Sequence, residues 1–203
     1  MLDVPAGDGG IAMSSPLHTA TWQRADRPGS ETFLLSEEDE GVRLEGSVTL
    51  DWEVSWRIRY EIVASADWVT QAVRVEADAP DHRRSLFLEV DSARRWRAAG
   101  REVEALRGCV DADVSFSPST NVLPIRRLEL AIGESADVVA AWVLLPDLDV
   151  RPLPQRYTRL TERRYRYESR GGVFTAELDV DERGLVLDYP PFWRRSSGSV
   201  LNS

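Results

Sequence analysis

The chain has 203 residues, 42% of them hydrophobic and 29% charged, a balance that suits one well-filled domain. Its formal net charge of −9 gives a field that repels polyanions, which argues against nucleic acid as a partner. No apolar run is long enough to cross a bilayer, so integral membrane association is excluded as an expectation, and the two histidines and one cysteine have no ligand spacing for a metal.

In chain order, the segment to about Pro16 is rich in Gly, Pro, Ser and Asp and is expected to be mobile, with Met13 as a second candidate start. It has neither a basic start nor a signal-length apolar stretch, which points to the cytoplasm. Weak strand patterns run from Leu17 to Arg24 and from Val42 to Val48. The clearest pattern lies between Leu50 and Ala64. Leu50, Trp52, Val54, Trp56, Ile58, Tyr60 and Ile62 share one parity, and charged or small residues hold the other. A strand collects every apolar member on one face where a helix would scatter them. One strand is expected there, followed by others at Val69 to Glu76 and Ser85 to Val90.

The stretch Gly108 to Leu128 is the densest in chemistry-bearing residues. Val110, Ala112, Val114 and Phe116 alternate with Asp111, Asp113, Ser115 and Ser117, so a strand would carry one apolar and one acidic, hydroxylated face. If Pro124 to Leu130 is extended, Arg126 and Arg127 point to opposite faces, and Leu128 to Ile132 reads as a weak strand. Ala136 to Leu145 is almost continuously apolar, either a strand buried on both faces or a short core helix ended by Pro146. The strand is favoured. Further strands are expected at Gln155 to Leu160 and Arg164 to Glu168. Phe174 to Val180 and Leu185 to Tyr189 form a hairpin around Glu182, Arg183 and Gly184. Arg194 to Ser203 reads as a flexible tail. The result is a single all-β domain over 17–193, antiparallel, built as a sandwich, roll or barrel.

Several residue groups could carry function. Asp111 and Asp113, as same-face neighbours on a strand, stand about 6 to 7 Å apart and could act as an acid/base pair. A solvated polar face tying down the following turn is the plainer reading. Cys109 suits a buried small hydrophobe better than an activated thiolate. An inward arginine beside Asn121 would grip a carboxylate, phosphate or sugar hydroxyls. A structural ion pair with Asp111 or Asp113 is its rival. Trp52, Trp56 and Tyr60 belong to an aromatic face that can be core or can line a pocket for an acyl chain or sugar ring.

Five pieces of sequence carry a family resemblance: Trp68-Val69-Thr70; Gly108 to Asp113; Ser117 to Leu128, with Pro118, Asn121, Pro124 and the arginine pair; Gln155-Arg156-Tyr157; and Gly184 to Pro190. Over roughly Trp22 to Phe192 the chain resembles a bacterial family, formerly of unknown function, described as glycolipid-binding. The resemblance implies a spiral, roll-like antiparallel fold, an open barrel-like sheet similar to that of bacterial lipoprotein carriers. It also implies an amphiphilic or glycolipid partner and carries over no catalytic residue; no cofactor is expected. The expected binder would hold lipid on the Trp52, Trp56 and Tyr60 face and meet the polar head with Asp111, Asp113, Asn121 and Arg126 or Arg127. The alternative is a hydrolase acting on a sugar or lipid ester through Asp111 and Asp113.

Overall fold

The computed structural model describes residues 17–38 and 41–201. Among these residues, fifteen strands form one sheet: β1 (Leu17–Arg24), β2 (Gly29–Glu38), β3 (Gly41–Trp52), β4 (Val54–Ser65), β5 (Thr70–Ala79), β6 (His82–Val90), β7 (Trp96–Ala98), β8 (Arg101–Glu102), β9 (Asp111–Val114), β10 (Ser135–Leu144), β11 (Asp149–Thr161), β12 (Arg164–Ser169), β13 (Phe174–Val180), β14 (Val186–Tyr189) and β15 (Trp193–Leu201). Among the described residues there is one short α-helix, α1 (Val122–Leu128), which follows directly on a 3-10 turn at Ser119–Asn121; two further 3-10 turns lie at Glu104–Leu106 and Arg170–Gly172. No helix among the described residues is long and apolar enough to cross a membrane.

The order across the sheet follows the chain: β8 back to β1, then β15 back to β9. Neighbours are antiparallel except β9 and β10, which run parallel. The first and last strands of the order, β8 and β9, are consecutive in sequence, so residues 103–110 connect the two sheet edges. Among the described residues no ladder joins these two edges, so the sheet stays open. Side chains hold the seam instead. The Arg94 guanidinium donates to the carbonyls of Thr70 (2.8 Å), Cys109 (2.9 and 3.0 Å) and Val110 (2.5 Å), and Thr70 Oγ1 accepts from the Ala112 amide at 2.9 Å. The curled sheet wraps one large apolar core drawn from both halves, including Trp22, Leu44, Ile62, Trp96, Val114, Leu123 and Val143. A smaller cluster of Tyr157, Tyr165, Tyr167, Leu178 and Val186 lies under α1.

Most expected strands are present, and the nearly continuous apolar run forms β10. Four expectations change. Leu50 to Ala64 is not one strand: the chain reverses at Glu53 (φ 58), with Leu50 opposite Trp56 and Trp52 opposite Val54. Because a single residue makes the tip, odd and even positions keep their faces through the reversal, and period two cannot register it. Pro124 to Leu130 is not extended. It lies in and beyond α1, where Pro124 occupies the first turn, which needs no proline amide. Glu129 (φ 46) ends the helix, and no strand forms at 128–132. Arg194 onward is not a tail, since β15 pairs with β1 from Trp193 to Leu201. β2 was not anticipated because a glutamate, Glu31, occupies one of its inward positions with Phe33 and Leu35. The expectation for 1–16 lies outside the described residues.

Candidate functional site

The segment expected to carry a site is buried on both faces. β9 lies parallel to β10, with its Ala112 and Val114 in the core and its acidic face turned towards α1 and β11 rather than to water. Asp111, 1% exposed, accepts a two-pronged contact from Arg127 (Nε to Oδ1 3.1 Å, Nη2 to Oδ2 2.6 Å). Burial raises its carboxyl above the usual range although Arg127 pulls the other way. Asp113 accepts from Thr120 Oγ1 at 3.3 Å and from Gln155 Nε2 at 2.5 Å. Burial pushes it up to about 6, opposed by these two donors and reinforced by the Asp111 charge. Asn121 accepts the Tyr157 hydroxyl at 2.9 Å and donates to the Pro118 carbonyl at 3.0 Å. Cys109 is buried, its thiol pushed up to about 11 by desolvation.

A second polar cluster anchors this segment from behind. Glu31 on β2 is fully buried and accepts from the Tyr60 and Ser117 hydroxyls at 2.5 and 2.8 Å. Tyr60 also lies 2.6 Å from Ser119 Oγ. Burial pushes the Glu31 carboxyl up to about 8, against the pull of the two hydroxyls, which favours its neutral form near pH 7. Tyr60 reaches this position by lying across Gly46, where any Cβ would overlap its ring.

Beside Asp113 opens a cavity of about 500 Å³. Its buried lining includes Ser117, Asn121, Leu153, Tyr167, Ser169 and Trp193, while Trp52, Ser115 and Arg170 are exposed and mark its mouth. Phe174, Tyr189 and Phe192 form one wall, their ring centroids 5.5 to 6.3 Å apart. Three guanidiniums rest on aromatic rings of the lining: Arg27 over Trp52 (5.3 Å), Arg24 over Phe192 (5.3 Å) and Trp193 (5.0 Å), and Arg170 over Trp142 (5.0 Å). Arg170 adopts φ 53 directly before Gly171 and Gly172, a left-handed conformation that costs a side-chain-bearing residue roughly 1 kcal/mol. A larger depression of about 630 Å³, lined by Arg127, Gln155 and Gly172, is more open to solvent and has no aromatic lining.

Of the residues singled out from the sequence, Asp113, Asn121 and Trp52 line the cavity. Asp111 and Arg127 are spent on each other at its side. Arg126 lies over Trp68, 5.1 Å from the ring centroid, and lines a separate depression with Glu129 and Arg163. Trp56 and Tyr60 are core residues, Tyr60 within the Glu31 cluster. The expected solvated acidic face is therefore corrected to a buried, bonded one, and α1 is what covers it. Arg24, Arg27 and Arg170 were not singled out, since nothing in their spacing sets them apart from the many other arginines. The aromatic wall could have been suspected from Tyr189 and Phe192 flanking the Pro190-Pro191 turn.

Comparison with known proteins agrees with this architecture. A family model described as "Putative glycolipid-binding" matches residues 19–195. The chain belongs to this family. Among solved structures, it is similar to a crystal structure of a DUF1089 family protein from Pseudomonas aeruginosa. The two share 32% identity and superpose with a TM-score of 0.75, covering 95% of this chain and all of the other. A β-barrel-like protein of the DUF1849 domain from Brucella abortus matches at 11% identity and TM-score 0.54, over 93% of this chain and 97% of that one, a likeness of fold alone. No curated protein matches.

Proposed function

We propose that this member of the family binds one amphiphilic molecule, glycolipid-like in character, and performs no chemistry on it. The observation that carries this reading is the cavity: about 500 Å³, within the usual range for small-molecule sites, with an aromatic and aliphatic wall and a polar group of Asp113, Ser117, Asn121 and Ser169 at its buried end. An acyl chain against Phe174, Tyr189 and Phe192 would gain about 0.8 kcal/mol per buried methylene, enough for useful affinity with no covalent step. A sugar suits the mouth, because Trp52 offers an exposed ring there for stacking. Against hydrolysis by an aspartate pair stands the geometry of that pair: Asp113 lines the cavity, while Asp111 does not and is neutralised by Arg127.

Native mass spectrometry of freshly purified protein tests this. The expected spectrum shows a bound species of lipid mass that organic extraction removes. A protein that is ligand-free when isolated and takes up nothing from a bacterial lipid extract would count against it.

A further inference from the structure

From the three guanidiniums gathered on the cavity's aromatic rings, we infer that the polar head of the ligand is anionic, of phosphate or carboxylate type, and is met at the mouth by Arg170 and Arg27. The inference rests on the amphiphile reading above and adds the charge of the head. In a chain of net charge −9, the cavity lining holds, among the described residues, Arg24, Arg27 and Arg170 against a single carboxylate, Asp113. Arg24 is committed, with two contacts of 2.7 and 2.6 Å to Asp26. Arg27 shares that same carboxylate through one nitrogen at 3.0 Å, leaving most of its fork unused. Arg170 has no acidic partner within 4.0 Å among the described residues. A planar fork with free donors is the group best matched to two oxygens of one anion.

The backbone gives a second, independent reason. At φ 53, followed by Gly171 at φ 67 and Gly172 at φ 87, position 170 lies in a left-handed run where a third glycine would fit without strain. An arginine is held there instead, and its side chain reaches over Trp142 into the cavity lining. Other left-handed residues of the chain, such as Glu53 and Glu129, serve turns and a helix end, whereas Arg170 is the one among them whose side chain lines this cavity.

The test compares two probes that share one alkyl chain, dodecyl phosphate and dodecyl maltoside, titrated below their micelle concentrations into wild-type protein. Dodecyl phosphate should bind about tenfold tighter, as one good charge-assisted contact gives, with the margin narrowing as salt is raised. Arg170→Gln and Arg27→Gln should each bring the ratio of the two affinities towards one, and Arg170→Lys should retain part of it. Arg170→Gly should lose the ratio while its melting temperature holds or rises, an outcome that a purely structural arginine would not give. Equal affinities in the wild type, or a ratio that survives both Gln variants, would overturn the anionic head and leave the amphiphile reading standing. Binding of neither probe would overturn both.

Discussion

The Tyr157 hydroxyl donates to Oδ1 of Asn121 at 2.9 Å, which ties the turn before α1 to the middle of β11. Asn121 is thus both a strut and part of the cavity lining. Asn121→Ala strands a tyrosine hydroxyl on a residue only 2% exposed, and should cost about 1 to 3 kcal/mol of stability. Chemical denaturation should show that loss, and amphiphile binding should weaken along with it. An unchanged midpoint would mean that Tyr157 finds another partner.

Removing Arg127 should be more damaging than removing its neighbour. Arg127→Ala leaves the carboxylate of Asp111 buried without its cation, a change that typically costs on the order of 3 kcal/mol or more. Arg126→Ala removes only a guanidinium resting on Trp68, worth roughly 0.5 to 1 kcal/mol at such a site. It should leave amphiphile binding untouched because Arg126 is not part of the cavity. Melting curves and titrations of the two variants, run in parallel, should separate the adjacent arginines in both respects.

These two arginines show where the sequence was readable and where it was not. Strands such as β10, β12 and the β13–β14 hairpin announce themselves because alternation or continuous apolarity directly reports which faces are covered. The turn into α1 hides itself, since Val122-Leu123-Pro124-Ile125 has the β-branched and proline content of an extended edge. Only packing against β9 and the Tyr157 cluster makes it helical. Once it is a helix, Arg126 and Arg127 no longer oppose each other, and the partner of each changes. Glu31 was hidden for the reverse reason. A glutamate reads as solvent-facing; burial is what favours its protonated form here, and the two hydroxyls that bond it, Tyr60 and Ser117, lie distant in sequence and pull the other way. The cavity mouth was least legible, because Arg24, Arg27 and Arg170 meet only when β15 pairs with β1.

Glu31 predicts how stability depends on pH. Its carboxyl is pushed up to about 8 in the folded protein, against 4.5 when free. Between those values the folded chain keeps a proton that the unfolded chain has released. Its contribution is therefore fully present below about pH 4.5 and is lost as pH rises towards about 8. Asp113, raised to about 6 from 3.8, acts in the same direction over a lower window. Carboxyls that are lowered instead, such as Asp26 and Asp91, exert their effect below about pH 4 and do not interfere. Burial lowers the His18 imidazole below its usual 6.5, which acts in the opposite sense but only below about that pH. The melting temperature of the wild type should therefore fall between about pH 6.5 and pH 8, and Glu31→Gln should flatten that slope while keeping an acceptor for Tyr60. Parallel slopes in the two proteins would show that Glu31 is not the titrating group.

The central claim, that the cavity beside Asp113 holds the apolar part of an amphiphile, is tested most directly by blocking its mouth. Ser115 is exposed and lines the cavity, so Ser115→Trp adds bulk there without overfilling the core. Isothermal titration of dodecyl maltoside into wild type and variant, with melting temperatures confirming that both are folded, gives the comparison. The account predicts binding weakened by about tenfold or more, the equivalent of losing two or so buried methylenes. An unchanged dissociation constant in a folded Ser115→Trp protein would place the ligand elsewhere and contradict it.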